Sequence, residues 1–177
     1  MLALHISCYS VTWVVPRSTR EFDGIRMETV DWPLVLMEFP ERRVSDAALH
    51  ALLDHLEAVE REAVKAREKG FFITDLTRVR EVAPASQRKY VGEWLKRTAP
   101  LQKAAGVGGA NVAPSPILRG VITAVFWIKP SPTPSIFVAT RNEAIFRGIE
   151  MLEAAGVPIS ERLREMREAT RKMAKFA

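Results

Sequence analysis

Cysteine is almost absent from this sequence. Cys8 is the only one among 177 residues, so no disulfide can form within the chain, which is the usual situation in a reducing cytoplasm. The apolar opening segment, residues 2–15, lacks a basic start and contains His5 and Ser10, so we do not expect an export signal there. These absences predict a cytoplasmic protein.

Hydrophobic runs long enough to cross a membrane are missing as well. The apolar run from Ile117 to Ile128 is much shorter than the roughly 20 residues that a membrane-spanning helix needs. We therefore predict no membrane span.

Groupings of metal ligands and catalytic residues are equally scarce. His50 and His55 are five residues apart and do not stack on one helical face, and no Cys or His cluster supports them. The glycine-rich segment 106–109 lacks the Lys-Ser/Thr pair of a phosphate-binding loop. Ser115 lacks a G-x-S-x-G context, which leaves helix capping as its predicted role. No metal, no cofactor and no catalytic activity are expected.

The chain has a net positive charge, but its basic residues are not clustered in the sequence. The formal net charge is +5, yet Lys and Arg residues are interleaved with acidic residues such as Glu57 and Glu60 along residues 57–69. Interleaved charges are typical of a solvated helix face, whereas a nucleic-acid interface needs basic residues gathered on one surface, ideally with exposed aromatic residues. Nucleic-acid binding is therefore not expected.

The residues that are present predict one folded α/β domain. With 47% hydrophobic and 27% charged residues, the chain has the composition of a globular domain. Short apolar runs predict strands at 34–39, 71–76, 110–113 and 135–139, with helices between and after them. This alternation favours a mostly parallel sheet of four to five strands covered by about four helices, plus an extra C-terminal helix.

Particular residues set the expected boundaries of the first two helices. Ser45 or Asp46 is predicted to cap the first helix, and Gly70 is predicted to end it. Pro100 is expected to limit the second helix, because proline disrupts a helix interior. A glycine-rich turn at 106–109 is then expected to lead into the third strand.

The remaining helices differ in character. The helix at 117–128 is apolar almost all round, so we expect it to be buried or to lie in an interface. Thr140 and Glu143 have the spacing of a capping box, which opens a helix that ends near Ala155. The last helix, residues 160–175, is amphipathic.

The first 26 residues have a poor hydrophobic period and allow two interpretations. Met27 is the true start in one of them, and residues 1–26 are then a poorly defined extension. In the other, residues 11–15 form an extra edge strand, because they are rich in β-branched and aromatic side chains. We assign the main domain to residues 27–156 and the amphipathic helix to residues 157–177.

Asp75 is the strongest candidate for a functional side chain. It is expected at the carboxyl end of a central strand, where open α/β sheets bind ligands and partners, with Thr77, Ser86 and Arg88 close by. The alternative is that Asp75 only ties its own loop through Asx-type hydrogen bonds. Arg119 is the only charged residue in the apolar helix. Because burying an unpaired charge is costly, its guanidinium is expected to reach solvent, a binding partner or a carboxylate of this chain. Asp75 is the candidate carboxylate.

Five short motifs occur together between residues 30 and 155. They are Trp32-Pro33-Leu34-Val35, Thr74-Asp75-Leu76-Thr77, Gln87-Arg88 with Glu93-Trp94-Leu95, the stretch from Ser115 to Trp127, and Thr140-Arg141-Asn142-Glu143-Ala144. With these motifs the chain resembles the STAS superfamily, the sulfate-transporter and anti-sigma-factor-antagonist fold, and in particular its SpoIIAA-like group of bacterial proteins. The motifs are signatures of a fold and a subgroup, so the resemblance implies an architecture more directly than an activity.

The resemblance also implies a possible phosphorylation site. In the best-known antagonists, a Ser or Thr at the start of the helix after the second strand is phosphorylated by a partner kinase. Ser86 has that position here, where the helix dipole and Arg88 would favour a phosphate. The Asp-Ser-Ser-Gly type of motif is absent, with Pro84 and Ala85 in its place, and an ordinary first-turn serine is the alternative.

Two functions follow as expectations. The resemblance implies a non-catalytic regulatory module that binds another protein, such as a kinase or a sigma-factor regulator, or associates with itself. The alternative is a carrier of a small apolar molecule or lipid, held in a groove between helix and sheet that the apolar helix 117–128 lines. The predicted contact surface consists of Asp75, Thr77, Ser86, Arg88, Ser115 and Arg119.

Overall fold

The computed structural model describes residues 13–128 and 130–174. Within this part of the chain, six strands form a single sheet whose spatial order is the order of the chain. The predicted α/β class with a mostly parallel sheet is confirmed, and the sheet has one strand more than the highest predicted number. The strands are β1 (Thr19–Phe22), β2 (Ile25–Glu28), β3 (Leu34–Glu38), β4 (Gly70–Asp75), β5 (Gly106–Val112) and β6 (Ser135–Val138). The helices are α1 (Asp46–Ala66), α2 (Ala85–Ala105), α3 (Pro116–Ile128), α4 (Arg141–Ala154) and α5 (Glu161–Ala174).

The parallel part of the sheet, the four strands from β3 to β6, determines where the helices lie. Crossovers between parallel strands are right-handed in nearly all proteins, and here the strand order never reverses. The helices α1, α2 and α3 are therefore carried to the same face of the sheet. On that face Met37 packs with Leu52 and Trp94. On the opposite face Phe71 packs with Ile149 of α4.

The strands β1 and β2 form a hairpin, and neither strand was predicted from the sequence. Asp23 and Gly24 connect them with φ angles of 49° and 90°, the left-handed conformations that a two-residue type I′ turn requires. The hairpin joins the sheet because β2 pairs antiparallel with β3. Ile25 and Met27 are buried in the core, so the hairpin is packed against the rest of the fold.

The alternatives for the first 26 residues are answered only in part. Residues 11 and 12 of the predicted edge strand lie outside the described residues, and residues 13–15 do not form a strand. Val15 is nevertheless buried in the core. The proposed start at Met27 stays a prediction.

The helix α1 begins where the sequence predicted and ends at a different residue. Ser45 caps its N-terminus, since the Ser45 Oγ accepts a hydrogen bond from the Ala48 N–H at 3.2 Å. The helix ends at Arg67, which has a left-handed φ of 59°, so the prediction that Gly70 ends it is wrong. Gly70 begins β4, where a Cβ would lie 2.9 Å from the ring of Trp32. Close packing explains the glycine at that position.

The helix α2 continues through Pro100 to Ala105, so the prediction that Pro100 limits it is wrong. A proline removes one backbone hydrogen bond, but Pro100 is exposed, and water can therefore hydrate the carbonyl that loses its donor. Thr98 and Gln102 are buried on either side of the proline and hold both parts of the helix against the fold.

The prediction of a glycine-rich turn at 106–109 is also wrong, because these four residues begin the strand β5. Gly108 faces α4, and a Cβ there would lie 2.5 Å from the Met151 Cε and 3.0 Å from the Pro134 carbonyl oxygen. Glycine in a strand often marks such a close approach.

The prediction that Thr140 caps α4 is confirmed, but the return bond of the capping box comes from Ala139, the residue before the cap, and not from Thr140. The Thr140 Oγ1 accepts from the Glu143 N–H at 3.2 Å, and the Glu143 carboxylate accepts from the Ala139 N–H at 3.2 Å. The amphipathic α5 packs against α4 and buries Leu163 completely. Within the described residues, no helix has both the length and the apolar character needed to cross a membrane.

Candidate functional site

A cavity of about 340 Å³ lies between the sheet and the helices α1, α2 and α3. Cavities that bind small molecules usually measure roughly 300 to 1,000 Å³ and have mainly apolar walls, so this one is large enough for a ligand. Its apolar lining includes Met37, Leu49, Leu52, Leu53, Leu56, Phe72, Val91, Trp94, Leu95, Leu118, Val121, Ile122 and Phe126.

The floor of the cavity is formed by side chains of alternate strand residues. Phe72 and Thr74 of β4 face the cavity, as does Asn111 of β5, because successive side chains point to opposite faces of a sheet. The Asn111 Nδ2 donates a hydrogen bond to the Ser135 Oγ at 3.1 Å, which satisfies two polar groups on this floor. Gly109 also lines the floor, and a Cβ there would lie 2.9 Å from the Phe72 carbonyl oxygen, so close approach of the two strands explains this glycine.

The helix α3 forms one wall of the cavity. It packs against α2, and the ring of Phe126 lies 6.5 Å, centroid to centroid, from that of Phe137 in β6. Val121 and Ile122 line the cavity from this helix. The opposite side of the helix is apolar and open, since Trp127 is 82% exposed. The apolar side chains of α3 therefore lie in two places: some form a wall of the cavity, and others are exposed on the surface.

The cavity is elongated along the helix axes. Its lining extends along α1 from Leu49 to Glu60, which is roughly 16 Å of helix, and along α2 from Gln87 to Gln102, which is roughly 22 Å. Charged side chains gather at the end near the N-termini of α1 and α2. They are Glu41, Arg42, Arg43, Glu81 and Arg88.

Glu60 is the only acidic side chain at the other end of the described lining. It is only 2% exposed, and its Oε2 is buried without a hydrogen-bond partner among the described residues. Burial, together with the negative charge of Glu57, raises the pKa of Glu60 to about 8. A pKa above 7 means that the protonated, neutral form of Glu60 is favoured at pH 7.

The burial of Glu57 and Glu60 contradicts the expectation that these charges lie on a solvated face. Glu57 is bound by Arg61 of its own helix at 2.5 Å and by Arg97 of α2 at 2.9 Å. The hydrogen bond from Arg61 is the main reason that its pKa is lowered. The two neighbouring carboxyl groups therefore differ, since Glu57 is a paired anion, whereas the neutral form of Glu60 is favoured and its Oε2 has no partner among the described residues.

Trp94 lines the same cavity and carries a second buried polar atom. Its indole Nε1 is buried and has no hydrogen-bond acceptor among the described residues. The neighbouring polar groups are already occupied by each other, because the Gln102 Nε2 donates to the Thr98 Oγ1 at 2.6 Å. The Thr98 Oγ1 in turn donates to the Trp94 carbonyl oxygen at 2.8 Å.

Asp75 lies in an ion-pair cluster on the opposite face of the sheet. Its carboxylate accepts hydrogen bonds from the Thr77 N–H at 2.9 Å and the Thr77 Oγ1 at 2.7 Å, so the Asx-type loop contact is confirmed. The Arg141 Nε donates to its second oxygen at 2.6 Å, and Arg141 also pairs with Glu38. Burial alone would raise the pKa of Asp75, but the bonds from Thr77 and Arg141 outweigh burial and lower it.

Arg119 does not pair with Asp75, so that part of the sequence interpretation is wrong. The Arg119 Nε instead donates to the Ala113 carbonyl oxygen at 2.6 Å, across the loop before α3. Asp75 is already bound by Arg141 and is oriented away from α3. Arg119 therefore ties the start of α3 to the end of β5.

The structure brings together only some of the predicted contact residues. Arg88 lines the charged end of the cavity, where its Nη1 donates to the Ala83 carbonyl oxygen at 2.5 Å. Ser86 is exposed in the first turn of α2, and Ser115 is half-buried just before α3. Neither serine lines the cavity. Thr74 lines it and the next residue, Asp75, faces away, so the sheet separates the Asp75 cluster from the cavity.

Two charged residues described above were not predicted from the sequence: Glu60, which lines the cavity, and Arg141, which binds Asp75. Glu60 lies four residues after Leu56 and seven after Leu53, which places it on the apolar stripe of α1. Arg141 stands at the first position of α4, where the helix dipole disfavours a positive charge. A charged residue on the apolar stripe of a helix would have indicated Glu60, and a positive charge at a helix N-terminus would have indicated Arg141.

Comparison of the chain with models of protein families, with curated proteins and with solved structures gave no match. No group of three or more His, Cys, Asp or Glu side chains suited to a metal ion occurs in the part of the chain that is described.

Proposed function

We propose that this protein binds an elongated, mainly apolar small molecule in the cavity beneath α3. The observation that carries the proposal is the cavity of about 340 Å³, walled by three helices and floored by the sheet. A cavity of this size would cost the fold stability if it stayed empty, because its lining loses packing contacts. A bound apolar molecule would restore those contacts.

The shape of the cavity supports an elongated ligand. Apolar side chains line its middle along both α1 and α2, and charged side chains are gathered at one end. Arg43 and Glu81 form an ion pair at 3.2 Å at this end, and both are more than half exposed. An exposed ion pair is worth little in stability, so it can open at small cost for a ligand to enter.

Native mass spectrometry of the freshly purified full chain tests this function. We expect a retained mass that a denaturing measurement releases. After that ligand is stripped, we expect binding of the fluorescent probe anilinonaphthalene sulfonate, whose aromatic rings bind apolar sites. Val121→Trp should fill the cavity and weaken probe binding at least about tenfold. Ala124→Trp is the matched control, because Ala124 is exposed on the same helix and does not line the cavity.

Either of two outcomes would contradict the proposal. The first is a folded chain that carries no ligand and does not bind the probe. The second is equal probe binding by the Val121→Trp and Ala124→Trp variants, provided that thermal melting shows both to be folded.

A second candidate function is docking of another protein, as the resemblance to the STAS superfamily implies. A specific observation favours it, because Ile117, Gly120, Ala124 and Trp127 are exposed along one side of α3. Their spacing of three, four and three residues makes a continuous apolar stripe. Ser86 is exposed at the N-terminus of α2, so a kinase could reach it, and the helix dipole would favour the phosphate.

The docking function is tested with charged substitutions on that stripe. Ile117→Glu and Trp127→Glu together should abolish capture of a specific protein partner from the native cell, while leaving probe binding in the cavity unchanged. Val64→Glu, at an exposed site on α1, is the control. Capture that survives the double substitution would exclude this surface.

A further inference from the structure

Two residues that line the cavity each carry a polar atom that is buried without a hydrogen-bond partner among the described residues. The two atoms are the Glu60 Oε2 and the Trp94 Nε1. Both side chains line the same cavity, one from α1 and the other from α2. Leaving a buried polar group unsatisfied costs free energy, so native proteins rarely keep such groups without a reason.

The two groups together offer a defined set of hydrogen bonds. A neutral carboxylic acid donates one hydrogen bond through its O–H and accepts others, whereas an indole N–H only donates. A hydroxyl group can both accept and donate, so a ligand hydroxyl has the chemistry to pair with either group. A wholly apolar ligand would leave both of them unsatisfied.

Resting on the proposed function, we infer that Glu60 and Trp94 form the polar end of the binding site and recognise a hydroxyl group on an otherwise apolar chain. The hydroxyl accepts a hydrogen bond from the Trp94 indole or the Glu60 O–H, and donates its own to the Glu60 carboxyl. The rest of the ligand then extends along the apolar lining towards the charged end of the cavity.

The surrounding charges disfavour an ionised head group. Glu57 lies three residues before Glu60 on α1, and both of its oxygens are bound, by Arg61 and by Arg97 of α2. The other arginines of the described lining, Arg42, Arg43 and Arg88, lie at the opposite end of the cavity. An anionic head at Glu60 would therefore have no cation to pair with. A cationic head would first require Glu60 to ionise inside an apolar wall, at a cost in free energy.

The test measures how strongly the stripped full chain prefers a hydroxyl. Decanol and chlorodecane are matched ligands, since they differ only in a hydroxyl or a chlorine at the end of the same chain. Their affinities are measured by displacement of anilinonaphthalene sulfonate, and the ratio of the two affinities is compared between variants. Each variant is compared with the wild type, so the different solubilities of the two ligands cancel.

We expect Glu60→Leu and Trp94→Phe each to lower the preference for decanol about fivefold, because each removes a hydrogen bond to the hydroxyl. Glu60→Gln should keep the preference, since an amide is neutral and both donates and accepts. Trp32→Phe is the matched control for Trp94→Phe. The Trp32 indole N–H is also buried without a partner among the described residues, but Trp32 does not line the cavity.

The outcomes separate this inference from the proposed function. If the probe binds and all variants keep the same preference within about twofold, the polar end is wrongly assigned while the apolar binding site stands. If decylamine binds more tightly than decanol and Glu60→Gln abolishes that advantage, Glu60 recognises a cation and the hydroxyl assignment is wrong. Failure of the probe to bind at all would overturn the proposed function itself.

Discussion

The Arg141 Nε donates a hydrogen bond to the Asp75 carboxylate at 2.6 Å, and the two residues are 66 positions apart in the chain. This contact joins the carboxyl end of β4 to the first residue of α4. Asp75 is 2% exposed and Arg141 is 38% exposed, so the pair lies at the edge of the core. It fixes α4 on the face of the sheet opposite the cavity.

Removing either partner of this pair should destabilise the fold. We expect Asp75→Asn and Arg141→Met each to lower the free energy of unfolding by about 2–4 kcal/mol, since each removes the ion pair between the buried Asp75 and Arg141. The double variant should be less destabilised than the sum, by more than about 1 kcal/mol, in a urea-denaturation cycle. Because the pKa of Asp75 is lowered from 3.8, its contribution is present above pH 3.8 and is lost as the pH falls below it. Additive single effects would show that the pair contributes nothing of its own.

The pH dependence of stability should reveal the neutral state of Glu60. Its pKa is raised from 4.5 to about 8, so the folded chain binds one proton more than the unfolded chain between these values. Stability should therefore fall from pH 4.5 to pH 8 on account of this residue, by the order of 3 kcal/mol. Glu60→Gln should remove that fall, which urea denaturation of the ligand-free protein at pH 4.5 and pH 8 would measure. Parallel pH profiles of the wild type and the variant would show that Glu60 is ionised.

The first hairpin should contribute to the stability of the core. Ile25 is completely buried, so Ile25→Ala should cost about 2–4 kcal/mol in the free energy of unfolding. Ile117→Ala removes the same atoms from a side chain that is 70% exposed, and should change stability by less than about 0.5 kcal/mol. Equal effects in thermal or urea melts would mean that the hairpin is not packed as described.

Two helical glycines should respond in opposite ways to alanine. At Gly148 of α4 a Cβ would lie 2.6 Å from Phe71 and 2.9 Å from Leu34, so Gly148→Ala should destabilise the fold by about 1–3 kcal/mol. At Gly120 of α3 no atom lies within 4 Å of the added Cβ, and the higher helix propensity of alanine should stabilise the fold by roughly 0.5–1 kcal/mol. Urea denaturation of the two variants would show whether α4 packs closely on the sheet.

The sequence predicted the elements whose signals are local. The apolar run before Pro40 predicted β3, and the capping residues Ser45 and Thr140 located the starts of α1 and α4. The dipeptide Asp23-Gly24 was an equally local signal for a hairpin and was overlooked.

The features that the sequence did not predict depend on neighbours that only the fold supplies. Gly108 is in a strand because Met151 and Pro134 approach it closely, although a run of glycines usually indicates a turn. Pro100 is tolerated within α2 because it is exposed. Glu60 was counted with the surface charges, because its environment depends on where α2 lies relative to α1. The partner of Asp75 could not be inferred either, because Arg141 is distant in the chain.

The order of the strands has a consequence for synthesis of the chain. Each strand pairs with the one made immediately before it, so the sheet can grow strand by strand as the polypeptide leaves the ribosome. One face is covered as it grows, because α1, α2 and α3 are made between the strands. The other face, which carries Phe71 and Ile73, stays open until α4 is made. A nascent chain that stalls before residue 141 would therefore expose a hydrophobic sheet face, and it would be a substrate for chaperones during that interval.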